Sequence, residues 1–146
     1  MKVLICGDRN WNHPEDIDAF VKTFPKDSVI IEGECSGADI QAKTSAIRLG
    51  LKVEPYPANW NKYGKKAGVL RNTQMLEEGK PHLVIAFHDD LSKSKGTLNM
   101  VIQAYKKNVP FKIVSHNPNG IKINTHILKS LKIYNVTAYA GYIQYG

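Results

Sequence analysis

The chain has 146 residues, 42% of them hydrophobic, and a formal net charge of +7, so one domain can bury a substantial core without disulfides or a structural metal. Its two cysteines, Cys6 in an apolar run and Cys35 in a polar turn, exclude a disulfide framework and zinc-site spacing and fit the reducing cytoplasm. With no stretch of membrane-spanning length and no secretory leader, a cytoplasmic protein without a membrane partner is expected.

Residues 2–6, KVLIC, open the chain as a strand that ends at Gly7-Asp8-Arg9-Asn10. Residues 14–24 then read as a short helix with Ile17, Phe20 and Val21 inward. Residues 28–31 form a second apolar strand, followed by the turn EGECSGAD and a helix to about Leu49, where Gly50 supplies the stop. Residues 51–56 make a third strand. Pro55 and Pro57 push residues 58–67 into an irregular loop that contains Trp60, Tyr63 and Gly64, and a loop of that length invites a functional reading.

Val69, Leu70, Thr73 and Leu76 recur at helical spacing until Gly79 and Pro81 stop the helix. LVIAF, residues 83–87, is a run apolar enough to be covered on both faces of a parallel sheet. After a polar loop from His88 to Lys95, Gly96-Thr97 opens a helix in which Leu98, Val101, Ile102 and Tyr105 can face inward, and FKIVS is the fifth strand. Alternating β and α elements at this spacing predict an α/β fold of three layers: a mainly parallel sheet of about five strands, helices on both faces and right-handed crossovers. Residues 1–116 would form this domain. Residues 117–146 would be an extension packed on it, a turn or helix and then an edge strand, whose Tyr134, Tyr139, Tyr142 and Tyr145 either pack on their own domain or form a homo-oligomer surface.

In such a sheet the ligand crevice lies beyond the carboxyl ends of the strands, where helix N-termini offer unpaired amides and a partial positive charge. Four loops converge there: residues 7–10, 33–39, 58–67 running on to Arg71-Asn72, and 88–97. Gly33 and Gly37 flank a turn whose amides could take a phosphate, with Ser36 near the cap and Asp39 supporting the helix start. Lys95, Gly96 and Thr97 suit an anion equally well, unless Ser94 or Thr97 merely caps the helix and Gly96 relieves a turn. Arg9 and Arg71 could each grip a phosphate. Trp60 or Tyr63 could stack on a base, or else plug the edge of the core. Asp89-Asp90 could hold Mg²⁺ beside a bound nucleotide or act as acid and base with His88, although adjacent aspartates in a polar loop are commonly just solvated. The five histidines show no HExxH spacing, so no zinc is assigned. No Gly-Lys-Ser/Thr loop, dinucleotide glycine fingerprint or GxSxG elbow occurs. The lysines are scattered, with modest clusters at Lys65-Lys66 and Lys106-Lys107, so the charge suits a nucleic acid or a small phosphorylated ligand.

Taken together, KVLICGDRNW, IEGECSGAD, PANWNKYGKKAG, RNTQML, KPHLVIAF and SKGTLNM resemble the SLOG superfamily, which includes the Smf/DprA and LOG proteins, and within it the YspA-like branch. The resemblance covers residues 1 to about 115. It implies a Rossmann-like fold that binds a nucleotide or nucleotide-derived ligand through Gly7, Asp8, Arg9, Gly33, Ser36, Gly37, Asp39, Trp60, Tyr63, Arg71, Asn72, Lys95, Gly96 and Thr97. The LOG enzymes cleave the N-glycosidic bond of nucleoside monophosphates with an arginine, matched here by Arg71, and a glutamate three residues beyond a Gly-Thr. Met100 stands at that glutamate's position, and Asp89-Asp90 replace the usual double glycine. The expectation is therefore a sensor, sequestering protein or carrier. Two alternatives stand beside it: a nucleotide N-glycosidase whose chemistry rests on Arg71, Asp89 and Asp90, and DNA binding in the manner of DprA, whose helix also carries an Arg-Asn pair.

Overall fold

The computed structural model describes residues 1–116, which form a five-stranded, wholly parallel sheet with helices on both faces. The extension expected at residues 117–146, with its edge strand and tyrosine surface, lies outside the described residues. Strands β1 (Lys2–Gly7), β2 (Val29–Glu32), β3 (Lys52–Pro55), β4 (Leu83–Phe87) and β5 (Phe111–Val114) take the order β3-β2-β1-β4-β5. The chain winds outward in both directions from β1, so the topological switch point lies between β1 and β4. Their ladder runs in register from Val3 opposite Leu83 to Gly7 opposite Phe87.

Alternation along the central strands builds two cores. Val3 and Ile5 of β1, with Ile85 and Phe87 of β4, pack under α1 (Pro14–Val21) and α2 (Ala38–Arg48). Leu4 and Cys6, with Val84 and Ala86, pack under α4 (Ala67–Glu77) and α5 (Lys95–Lys106). This is what the near-continuous apolar runs of a doubly covered parallel sheet require. Among the described residues no helix is long and apolar enough to cross a membrane.

Three sequence expectations change. Helix α1 ends at Val21 rather than at residue 24: the Thr23 hydroxyl donates to the Phe20 carbonyl at 2.6 Å, and Pro25 disfavours helical backbone at Phe24. The segment from 58 to 67 is mostly helical, with a short α3 (Trp60–Tyr63) and a 3₁₀ turn (Gly64–Lys66) leading into α4, because the Asn59 side chain accepts the Lys62 amide at 3.1 Å and caps the first of these. Helix α4 is also rotated from the face its hydropathy suggests. Val69 and Leu70 are 46% and 44% exposed, while Ala67, Asn72, Met75 and Leu76 are buried. Hydrogen bonds of Asn72 decide this orientation, and they belong to the site.

Candidate functional site

A crevice of about 610 Å³ opens at the C-terminal ends of β1 and β4, over the α4–α5 side of the sheet. That volume lies within the roughly 300–1,000 Å³ usual for small-molecule sites. Gly7, Asp8 and Arg9 line it from the end of β1, and His88 from the end of β4. Gly7, at φ +154°, brings the two strand ends together: a β-carbon there would collide with the Phe87 backbone. The Asp8 amide donates to the Phe87 carbonyl at 2.9 Å, and the Asp8 carboxylate accepts the Asn10 amide at 2.9 Å.

Helix α5 aims its N-terminus at the crevice. Ser94 is its cap, accepting the Thr97 amide at 3.2 Å, so the capping role weighed for Ser94 is observed. Ser94, Lys95, Gly96 and Thr97 all line the cavity, and a β-carbon on Gly96 would meet nothing within 4 Å. The first amides of a helix have no partner within it; here the Thr97 amide is taken by the Ser94 cap, and the residues that carry the first amides line the cavity.

Arg71 and Asn72 of α4 also line the crevice. Arg71 donates from Nη1 to the Gly33 carbonyl, from Nε to Asn72 Oδ1 at 3.2 Å and from Nη2 to the Cys35 thiol at 3.6 Å. A β-carbon at Gly33 would come within 2.5 Å of the guanidinium, so a larger residue there would displace Arg71 from this position. The Asn72 amide nitrogen donates to the Gly96 carbonyl and to Asn99 Oδ1, both at 3.1 Å. One buried asparagine thus holds the arginine and fastens α4 to the start of α5.

The β2–α2 turn is tied into the fold by its own hydrogen bonds. Several of its amides are used inside the protein: those of Gly33 and Cys35 go to the Asp39 carboxylate at 3.1 and 3.3 Å, that of Glu34 to Glu32 at 2.6 Å, and that of Ala38 to the Asp8 carbonyl at 3.1 Å. Gly33, Ser36 and Gly37 are not among the residues lining the crevice, whereas Asp39 and Cys35 are. Burial pushes the Asp39 carboxyl up to about 6, against Arg71 and the two amides, which lower it. Beneath the turn the fully buried Glu32 is pushed up to about 8, by burial and then by its hydrogen bond with Glu34. Burial also drives the Cys6 thiol far above its ordinary value, so Cys6 packs as an apolar group.

Trp60 lines the crevice mouth at 52% exposure, its ring lying over Gly68. Tyr63 is exposed with Lys62 beside its ring and does not line the cavity. Neither aspartate of the Asp89-Asp90 pair lines it. Asp89 accepts the Ser115 hydroxyl at 2.7 Å and the His116 amide at 2.8 Å, while Asp90 accepts the Ser92 amide and hydroxyl at 3.1 and 2.5 Å. His88, buried, accepts the Asp90 amide on Nδ1 at 2.9 Å. Its pKa is lowered by burial, against the pull of Asp8, Asp89 and Asp90. A neutral ring that accepts on Nδ1 carries its proton on Nε2.

Several lining residues lie within the four predicted loops, yet the sequence assigns them no ligand-binding role: Asn10, Cys35, Lys65 and Lys93, with His88 read as an acid or base and Ser94 as a cap. The Lys65-Lys66 pair and the position of His88 at a strand end were visible signals. Nothing local marked Cys35 or Lys93. Of the ionised side chains that line the crevice, Arg9, Lys65, Arg71, Lys93 and Lys95 are cationic and only Asp8 and Asp39 are acidic, which favours an anion. Met100, at the position of the LOG glutamate, is 1% exposed and contributes to both the cavity floor and the core. Among the described residues, one group could hold a metal ion, His13, Glu15 and His116, and none of the three lines the crevice.

A parallel sheet of this order, with a polar crevice at its switch point, defines a Rossmann-like fold class. The structure is similar to the X-ray structure of DNA processing protein A (DprA) from Streptococcus pneumoniae, with a TM-score of 0.65 and 15% identity, over 88% of this chain and 60% of that one. This chain therefore spans less than two thirds of DprA, and the likeness is one of fold. Residues 1–63 match the YspA, cpYpsA-related SLOG family. The gene 61 protein of Mycobacterium phage D29 is 35% identical over 118 residues, covering 75% of this chain and 92% of its own length. The chain belongs to the SLOG superfamily, in its YspA-like branch.

Proposed function

We propose that the crevice binds a nucleotide or nucleotide-derived ligand by its phosphate, and that the protein acts as a sensor, sequestering protein or carrier. The observation that carries this reading is the N-terminus of α5, with open space at Gly96, lining with Arg71 a cavity that has more cations than carboxylates. Helix amides and a partial positive charge favour a phosphate there. Trp60 at the mouth is the stacking surface for the base. The charge that speeds glycosidic cleavage is a carboxylate beside the ribose, and Met100 supplies none. Holding the phosphate equally in ground and transition states lowers KM without raising kcat, so binding without turnover is expected.

Calorimetry with adenosine, guanosine and cytidine monophosphates against inorganic phosphate tests the reading. Saturable binding is expected for at least one nucleotide, with no free base on chromatography. Trp60→Ala should weaken the nucleotide more than inorganic phosphate, whereas an equal loss would assign Trp60 to packing on Gly68. Many turnovers to free base would replace this reading with the N-glycosidase one.

A second reading, nucleic-acid binding, draws on Lys62, Lys65 and Lys66, which lie exposed beside Trp60 and Tyr63, and on the DprA-like fold. An oligonucleotide affinity that falls steeply with salt, exceeding that for any mononucleotide, would favour it.

A further inference from the structure

Outside the crevice, the densest set of ligand-bearing side chains lies where α1 begins. His13 precedes that helix, Glu15 and Asp16 sit in its first turn, and His116 follows β5. The rings of His13 and His116 are stacked, with centroids 3.4 Å apart and planes 4° from parallel. Glu15 Oε1 lies 3.3 Å from His13 Nδ1, and Asp16 Oδ2 lies 2.7 Å from His116 Nδ1. His13, Glu15 and His116 each offer a ligand atom, the three lying within 4.8 Å of one another.

We propose that His13, Glu15 and His116 form a site for a divalent transition-metal ion of the zinc class, with Asp16 orienting His116. Two imidazoles and one carboxylate select zinc, nickel or copper over magnesium or calcium, which prefer all-oxygen shells. Around a tetrahedral ion with bonds of about 2.0–2.1 Å, ligand atoms sit roughly 3.3–3.5 Å apart. The three ligand atoms start within 4.8 Å of one another, so the two stacked rings must turn for their nitrogens to converge on one ion, and Glu15, 63% exposed, has room to swing inward. With both rings neutral, the four side chains carry two negative charges, which a divalent cation balances. A carboxylate on the ring of a ligating histidine is the usual outer shell of such sites, and Asp16, only 12% exposed, is placed for that role. Three protein ligands leave a fourth position for water. The ion would tie the chain after β5 to the start of α1, elements joined here by a contact between residues 100 apart in sequence.

Trp11 reports on this site. Its ring meets that of His13 edge-on at 5.7 Å, and its indole N–H donates to the His13 carbonyl at 3.0 Å. Titration calorimetry of the full chain with Zn²⁺ should give one saturable site. His13→Ala and His116→Ala should each weaken it at least tenfold, Asp16→Asn by about 10–100-fold, and Arg71→Ala not at all. Ni²⁺ should quench Trp11 in a Trp60→Phe background with the same stoichiometry, and His116→Ala should abolish the quenching. His13→Gln replaces the alanine variant if circular dichroism shows that the latter is unfolded. Absence of a saturable 1:1 site, or Zn²⁺ binding that survives both histidine substitutions, overturns the proposal and leaves the cluster a proton-bridged clasp.

Discussion

Two helices bring their N-termini to the same edge of the sheet, and they meet opposite fates. At α2 four amides of the glycine turn are taken inside the protein, those of Gly33 and Cys35 by the Asp39 carboxylate, that of Glu34 by Glu32 and that of Ala38 by the Asp8 carbonyl, and a β-carbon on Gly37, at φ +79°, would collide with the backbone of Asp8 and Arg9. At α5 the Ser94 cap takes one amide, and Gly96 looks into open space. Both stretches read alike, as glycine and a hydroxyl residue before a helix. A turn of this composition is an anion site only where the rest of the fold leaves its amides unspent.

The comparison breaks most sharply at its glycines. Gly37→Ala places a side chain in left-handed backbone against a neighbouring loop and should cost about 3 kcal/mol or more of stability, read by urea denaturation. Next comes pH. Asp39 at about 6 and Glu32 at about 8 lie above their ordinary 3.8 and 4.5, so the folded state favours their protonated forms. The stability they contribute is full below about pH 4 and is lost as pH rises through about 6 for Asp39 and about 8 for Glu32. The Asp39 step is on the order of 2–3 kcal/mol. Asp39→Asn should flatten the lower part of a melting-temperature profile against pH, and Glu32→Gln the upper part. A wild-type profile flat from pH 4 to 8 would show that the turn tolerates both charges.

On the open side, Arg71→Ala should weaken a phosphorylated ligand by about 1.5–3 kcal/mol in calorimetry, the range for hydrogen bonds to charged groups. Its melting temperature should also fall slightly, because the guanidinium anchors the Gly33 carbonyl. Unchanged affinity would confine Arg71 to that anchoring role. The smallest expected effect is at Gly96. With open space around it, Gly96→Ala should stabilise α5 by up to about 1 kcal/mol while weakening phosphate binding, the reverse of Gly37→Ala. Loss of stability at Gly96 would erase the contrast between the two helices.

The sheet was legible because its strands carry continuous apolar runs that period-2 alternation splits into two cores, and Leu4 and Ile5 facing opposite layers is a direct result. Helix α4 was less legible. Val69 and Leu70 look like core in the sequence, and only the partners of Asn72 across space, Gly96 and Asn99, show why the helix turns them outward. For the candidate site, the convergence of loops follows from topology, which the order of elements encodes. The use of turn amides within the fold does not, since Asp8 reaches Ala38 from 30 residues away. His13 and His116, at opposite ends of the described chain, carry no joint signal in the sequence.

The place of β1 at the centre of the sheet also sets a timetable for assembly. Synthesised before the other four strands, it can pair with β2 early, but its other neighbour begins 80 residues later, where Val3 meets Leu83. At about 5–20 residues per second, one edge of the most apolar strand pair then waits roughly 4–16 s on the ribosome for its partner. During that interval Val3, Leu4 and Ile5 form an unfinished ladder of the kind that recruits foreign strands. The chain's exposure to misassembly is therefore concentrated before residue 87 emerges, and slowing translation between β3 and β4 should lengthen it.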